Sequence, residues 1–130
     1  MRDLMAAVGE VLLFWGFLET AMREYLAVID PVEAILPTKA PVLSQWRKAK
    51  ADRRDARFVQ LFADIEEAAE LRNCLAHGLS SASADPRSRE EAAVICITPD
   101  GSRRSITIYE MHEARDRLHR VTNRVRDLPI

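Results

Sequence analysis

Residues 4–29, LMAAVGEVLLFWGFLETAMREYLAVI, carry the clearest pattern in the chain, and the reading of the fold starts there. Leu4, Val8, Val11, Trp15, Leu18, Met22, Tyr25 and Ile29 follow one another at steps of four and three, the spacing that aligns side chains along one side of an α-helix. Asp30-Pro31 ends the helix, because the residue before a proline is pushed out of the helical backbone region. Plotted at about 100° per residue, Leu13, Phe14, Phe17, Ala21 and Val28 make a second apolar patch on roughly the opposite side. A helix apolar on two sides needs two partners. One is the domain's own core; the other is a second subunit or an overlying helix.

The rest of the chain supplies that core. Three prolines between residues 31 and 41 mark a connector, and a short second helix starts near Val42 with Leu43 and Trp46. Arg47, Lys48, Lys50, Arg53, Arg54 and Arg57 then form a basic cluster against only Asp52 and Asp55. A third helix runs from about Asp55 to His77, with Phe58, Phe62, Ile65, Ala69 and Ala76 on one face and Gly78 as its stop. Arg72 falls on that apolar stripe. Ser80 to Arg89, rich in serine, reads as a loop, and residues 92–107 as a hairpin turning at Pro99-Asp100-Gly101. Thr107 and Glu110 have the spacing of a capping box. It opens a last helix whose buried stripe is Met111, Ala114, Leu118, Val121, Val125 and Leu128. The expectation is a mainly α fold, an antiparallel bundle of about four helices with a small β-hairpin before the last one.

Composition bounds what such a protein can do. A chain of 130 residues makes one domain, residues 1–130. With 48% hydrophobic and 30% charged residues it is globular, and only 4 glycines argue against a phosphate loop or dinucleotide fingerprint. A net charge of -1 excludes a wholly basic nucleic-acid glove, so any such site is a local patch. Cys74 and Cys96 are too few for a disulfide framework, and the apolar run from Val11 to Leu18 is broken by Gly16 and flanked by Glu10 and Glu19. These features point to a soluble cytoplasmic protein with no membrane partner. His112 and His119 lie seven apart, a poor spacing for a metal pair, so no metal or other cofactor is expected.

The chemistry-bearing segment is Glu70-Leu71-Arg72-Asn73-Cys74-Leu75-Ala76-His77-Gly78. A guanidinium on an apolar stripe cannot shed its charge and must meet a carboxylate, a phosphate or a set of carbonyls. Asn73 and His77, four apart, are neighbours on one helix face. An imidazole titrating near neutrality is a natural proton shuttle. The bland alternative is that these residues only fasten the helix end.

The segment resembles the HEPN family (higher eukaryotes and prokaryotes nucleotide-binding domains). Its signature is an arginine, four to six residues, then a histidine, frequently with asparagine directly after the arginine. Arg72-Asn73, three residues, His77-Gly78 has that form. The long first helix with Trp15 and Glu19, the long helix ending in the motif and the closing helix extend the likeness over most of the chain; the hairpin departs from it. The resemblance implies a helical bundle paired as a homodimer, with two motifs facing one cleft. Many such proteins are metal-independent endoribonucleases of toxin or defence systems, leaving 2',3'-cyclic phosphate ends, with an antitoxin or nucleotidyltransferase as partner. Others are inactive modules that bind a partner protein or a nucleotide. Carried over, His77 is the base on the RNA 2'-hydroxyl, Arg72 the phosphate clamp and Asn73 their polar support. Glu19 is either a counter-charge for Arg72 or orienter of His77, or a surface carboxylate. The basic cluster at residues 47–57, and Arg115, Arg117, Arg120, Arg124 and Arg126 of the last helix, either attract an RNA backbone or are simply solvated.

Overall fold

The computed structural model describes residues 2–29, 46, 56–83 and 92–128. Among these the chain is mostly helical, with three helices, α1 (Arg2–Ile29), α2 (Ala56–His77) and α3 (Ile108–Arg126). Three strands lie between α2 and α3: β1 (Leu79–Ser83), β2 (Ala93–Ile97) and β3 (Arg103–Thr107). Of the expected short second helix only Trp46 falls among the described residues, and it is helical and fully buried. The connector at 31–41 lies outside them.

The α1 stripe behaves as its spacing requires. Leu4, Val11, Trp15, Leu18, Met22 and Tyr25 are buried, and Val8 is partly so. Each fully buried aliphatic side chain contributes roughly 1.5–3 kcal/mol. The second patch is divided: Leu13, Phe17 and Val28 are exposed, Phe14 is half-buried and Ala21 is buried. By length and composition residues 2–28 could cross a membrane, with a mean hydropathy of 1.5, but a core helix meets the same description. Here one side of α1 is packed against α3 and α2.

The α3 stripe completes the core, with Met111, Ala114, Leu118, Val121 and Val125 buried and Leu128 at its edge. Thr107 caps the helix: its hydroxyl accepts from the Glu110 amide at 3.1 Å while the Glu110 carboxylate accepts from the Thr107 amide at 3.4 Å. Ion pairs then set how the helices lie, Arg115 to Glu10 of α1 at 2.6 Å, and Arg117 to Glu67 and Arg124 to Asp64 of α2 at 3.1 and 2.6 Å. Partly exposed pairs of this kind are worth about 0.2–1 kcal/mol, so they orient helices that burial holds together. On α2, Phe58, Ile65 and Ala69 are buried as expected and Phe62 is half-buried. Ala76 is exposed instead, because beyond Leu71 the buried side passes to Cys74 and Leu75.

The sheet corrects two expectations. It has three antiparallel strands in the order β1-β2-β3, not a two-stranded hairpin, and residues 79–83 are strand where loop was expected from Ser80. Leu-Ser-Ser-Ala-Ser has no β-branched or aromatic side chain to advertise a strand. It pairs because α2 delivers it to the free edge of β2, with a bulge between Leu79 and Ser81. The β2–β3 turn is as read: Gly101 has a left-handed φ of 86° and its amide donates to Thr98. Val94, Cys96 and Ile106 point into the core.

Candidate functional site

The last two turns of α2 run directly into the sheet. The Gly78 amide donates to the Cys74 carbonyl at 2.9 Å, closing the helix, while the Gly78 carbonyl accepts from the Ile97 amide at 2.8 Å. The stop at Gly78 therefore holds, but its reason is proximity rather than a left-handed φ. A Cβ there would lie 2.5 Å from the Ile97 carbonyl oxygen.

This junction forms a half-open cleft of about 870 Å³. Glu70, Asn73, Cys74 and His77 of α2 make one wall; the turn from Ile97 to Ser102, with Arg104, makes the other. Asn73 and His77 share the cleft because positions four apart share a helix face. His77 is exposed, and among the described residues it makes no hydrogen bond or ion pair. Its ring nitrogens are therefore open to a ligand in the cleft. The opposite turn is braced by its own hydrogen bonds. Asp100 accepts from the Thr98 hydroxyl and, at 3.0 Å, from the Ser102 amide, and these bonds hold its carboxyl below the usual range. Burial pushes the Cys96 thiol, in the core, up from its ordinary value.

Arg72 is placed elsewhere. His77 lies five positions on, which on an α-helix is roughly 140° of rotation, and Arg72 does not line the cleft. Its guanidinium carbon lies 5.8 Å from the centroid of the Trp15 ring, and Nη1 donates to Asn73 Oδ1 at 3.0 Å. Nε is enclosed without a partner. Of the three motif residues, one copy of the chain brings Asn73 and His77 to one cleft and Arg72 only to the rear of Asn73.

Glu19 pairs with Arg23 one turn along its own helix, at 3.9 Å, and contacts neither Arg72 nor His77. That is the surface-carboxylate reading. Arg47, Lys48, Lys50, Arg53 and Arg54 lie outside the described residues, as does the side chain of Arg57. In α3, Arg115, Arg117 and Arg124 are taken up by ion pairs. His119 packs its ring 6.3 Å from that of Phe14. Among the described residues no group of three or more His, Cys, Asp and Glu side chains is placed to hold a metal ion.

Sequence reasoning missed the second wall of the cleft. Arg104 had a signal: it alternates with the inward-facing Ile106, so the pattern Arg-Arg-Ser-Ile-Thr places an arginine on the core side of β3. No protein-family model matches this chain, and comparison with curated proteins and with solved structures gave no significant match.

Proposed function

We propose that the chain is an HEPN-like protein acting on RNA, a cytoplasmic homodimer built on a four-helix bundle with an inserted sheet, serving as a metal-independent endoribonuclease or RNA-binding component of a toxin or defence system. The observation that carries this reading is His77, exposed, unpartnered and beside Asn73 in an open cleft. Internal attack by a ribose 2'-oxygen on its own phosphodiester needs a base of near-neutral pKa and fixed positive charge for the oxyanion. His77 takes the 2'-hydroxyl proton, the new P–O bond closes a 2',3'-cyclic phosphate, and the bond to the 5'-oxygen breaks, with that oxygen protonated by solvent.

Arg72 sits behind Asn73, so an active cleft calls for a second copy to complete it. The outward face of α1 offers the contact: Leu13 and Phe17 are exposed, and open space lies over Gly9 and Gly16 seven residues apart. Two such helices approach closely by the same surface, the self-complementary geometry of a twofold dimer. Light scattering is expected to give about twice 14.7 kDa. A monomer, or protein recovered only with lipid, contradicts the pairing.

The function is tested by single-stranded RNA in EDTA. The wild type should cut it, and His77→Ala and Arg72→Ala should each lower the rate by about 100-fold or more while remaining folded. The tie between Arg72 and Asn73, with the guanidinium over Trp15, favours one other reading, a catalytically silent module that binds a partner protein or nucleotide. Micromolar RNA binding with no cutting would select it. An antitoxin or a nucleotidyltransferase is the partner either reading proposes.

A further inference from the structure

The inward side of the β2–β3 pair is a file of partners, Val94 opposite Ile106 and Cys96 opposite Arg104. Val94, Cys96 and Ile106 are buried in the core; Arg104 ends the file where the core gives way to the cleft, and is half-buried. Among the described residues Arg104 makes no hydrogen bond or ion pair, whereas Arg115, Arg117 and Arg124 each hold a carboxylate. A guanidinium cannot neutralise itself, so an inward-facing one without a partner is a site for an anion. Among the described residues the carboxylates nearby do not fill it: Asp100 is held by its own turn, and Glu70, on the α2 wall, makes no hydrogen bond or ion pair with it.

Resting on the RNA reading above, we propose that Arg104 is the phosphate-holding residue of the His77 cleft, binding the phosphodiester of a single RNA strand from the sheet side, the place Arg72 does not reach. A guanidinium can take two phosphate oxygens at once. With Arg104 on one wall and Glu70 on the other, only one register suits the strand: phosphate toward β3, base donor groups toward Glu70. The sheet thus becomes a working wall of the site rather than an ornament on the bundle.

Binding of a short labelled single-stranded RNA, measured by anisotropy over a salt series, tests this. Arg104→Ala should weaken binding roughly 10- to 100-fold and reduce the slope of log K against log salt by about 0.7, the loss of one phosphate contact. Arg104→Lys should restore the slope but only part of the affinity. Arg103→Ala, outward on the same strand, should bind within about twofold of wild type. If Arg104→Ala loses its fold by circular dichroism, Arg104→Gln makes the same test. Wild-type RNA binding that Arg104→Ala leaves unchanged in affinity and slope, while Arg72→Ala weakens it, overturns this inference alone. A folded wild type without affinity for RNA overturns both it and the function it rests on.

Discussion

The two sides of α2 at its C-terminal end contrast sharply. One side carries Arg72, half-buried, over Trp15 and against Asn73, with its Nε enclosed. The other presents His77 to an open cleft, with no partner among the described residues. The two residues are near in sequence and far apart around the helix. A motif of this spacing cannot be read as a site in itself: what one helix separates, a second copy or a second wall must bring together. Within one copy the wall facing His77 is the sheet, and Arg72 lies off it.

That contrast predicts opposite costs. Trp15 lies under the Arg72 side and is buried, so Trp15→Ala should cost about 3–5 kcal/mol in urea unfolding. His77→Ala should change stability by less than about 0.5 kcal/mol, because the side chain is exposed and unpaired. Comparable losses for the two variants would erase the distinction between a structural and a functional side.

The junction between helix and sheet gives the next effect. In Gly78→Ala the new methyl would meet the Ile97 backbone oxygen, so the turn must shift and the bond from Ile97 to Gly78 weaken. The expected cost is about 1–3 kcal/mol, together with reduced RNA binding, since the same shift moves the cleft's second wall. A variant as stable as wild type would show that the two walls are not rigidly joined.

How much of this was legible in the sequence depended on whether local pattern and tertiary context agreed. The α1 and α3 stripes were, because four-and-three spacing and the Thr107–Glu110 box encode both helix and buried face. Strand β1 was not, because Leu79–Ser83 owes its form to the edge of β2 rather than to its own side chains. Asn73 and His77 could be placed together from spacing alone. The apolar stripe put Arg72 on the inner side of its helix, and the i,i+4 spacing of Glu19 and Arg23 allowed their pair, but that Arg72 would lie over Trp15 depended on how two helices pack, which spacing within one helix does not contain.

The smallest effect concerns the ion pairs of α3. The hydrogen bond from Arg124 holds the Asp64 carboxyl below its ordinary value of 3.8. A carboxylate with a depressed folded pKa stabilises the fold above its unfolded pKa, and that contribution is lost as pH falls through the folded value. Wild-type stability should therefore fall on acidification below about pH 4. Asp64→Asn should be slightly less stable at pH 7, by no more than about 1 kcal/mol, and should lose less on acidification. Parallel acid profiles for the two proteins would contradict the assignment.

The central claim is that the His77 cleft performs chemistry on a ribose hydroxyl, and one measurement reaches it most directly. Single-stranded RNA is incubated with the protein in EDTA, beside the same strand carrying a 2'-deoxy sugar at the cleavage position, and the product ends are identified by mass spectrometry. The account predicts 2',3'-cyclic phosphate ends from the first, no cutting at the deoxy position in the second, and loss of both products and rate in His77→Ala. Cutting at the deoxy position, or cutting that His77→Ala leaves undiminished, would contradict it.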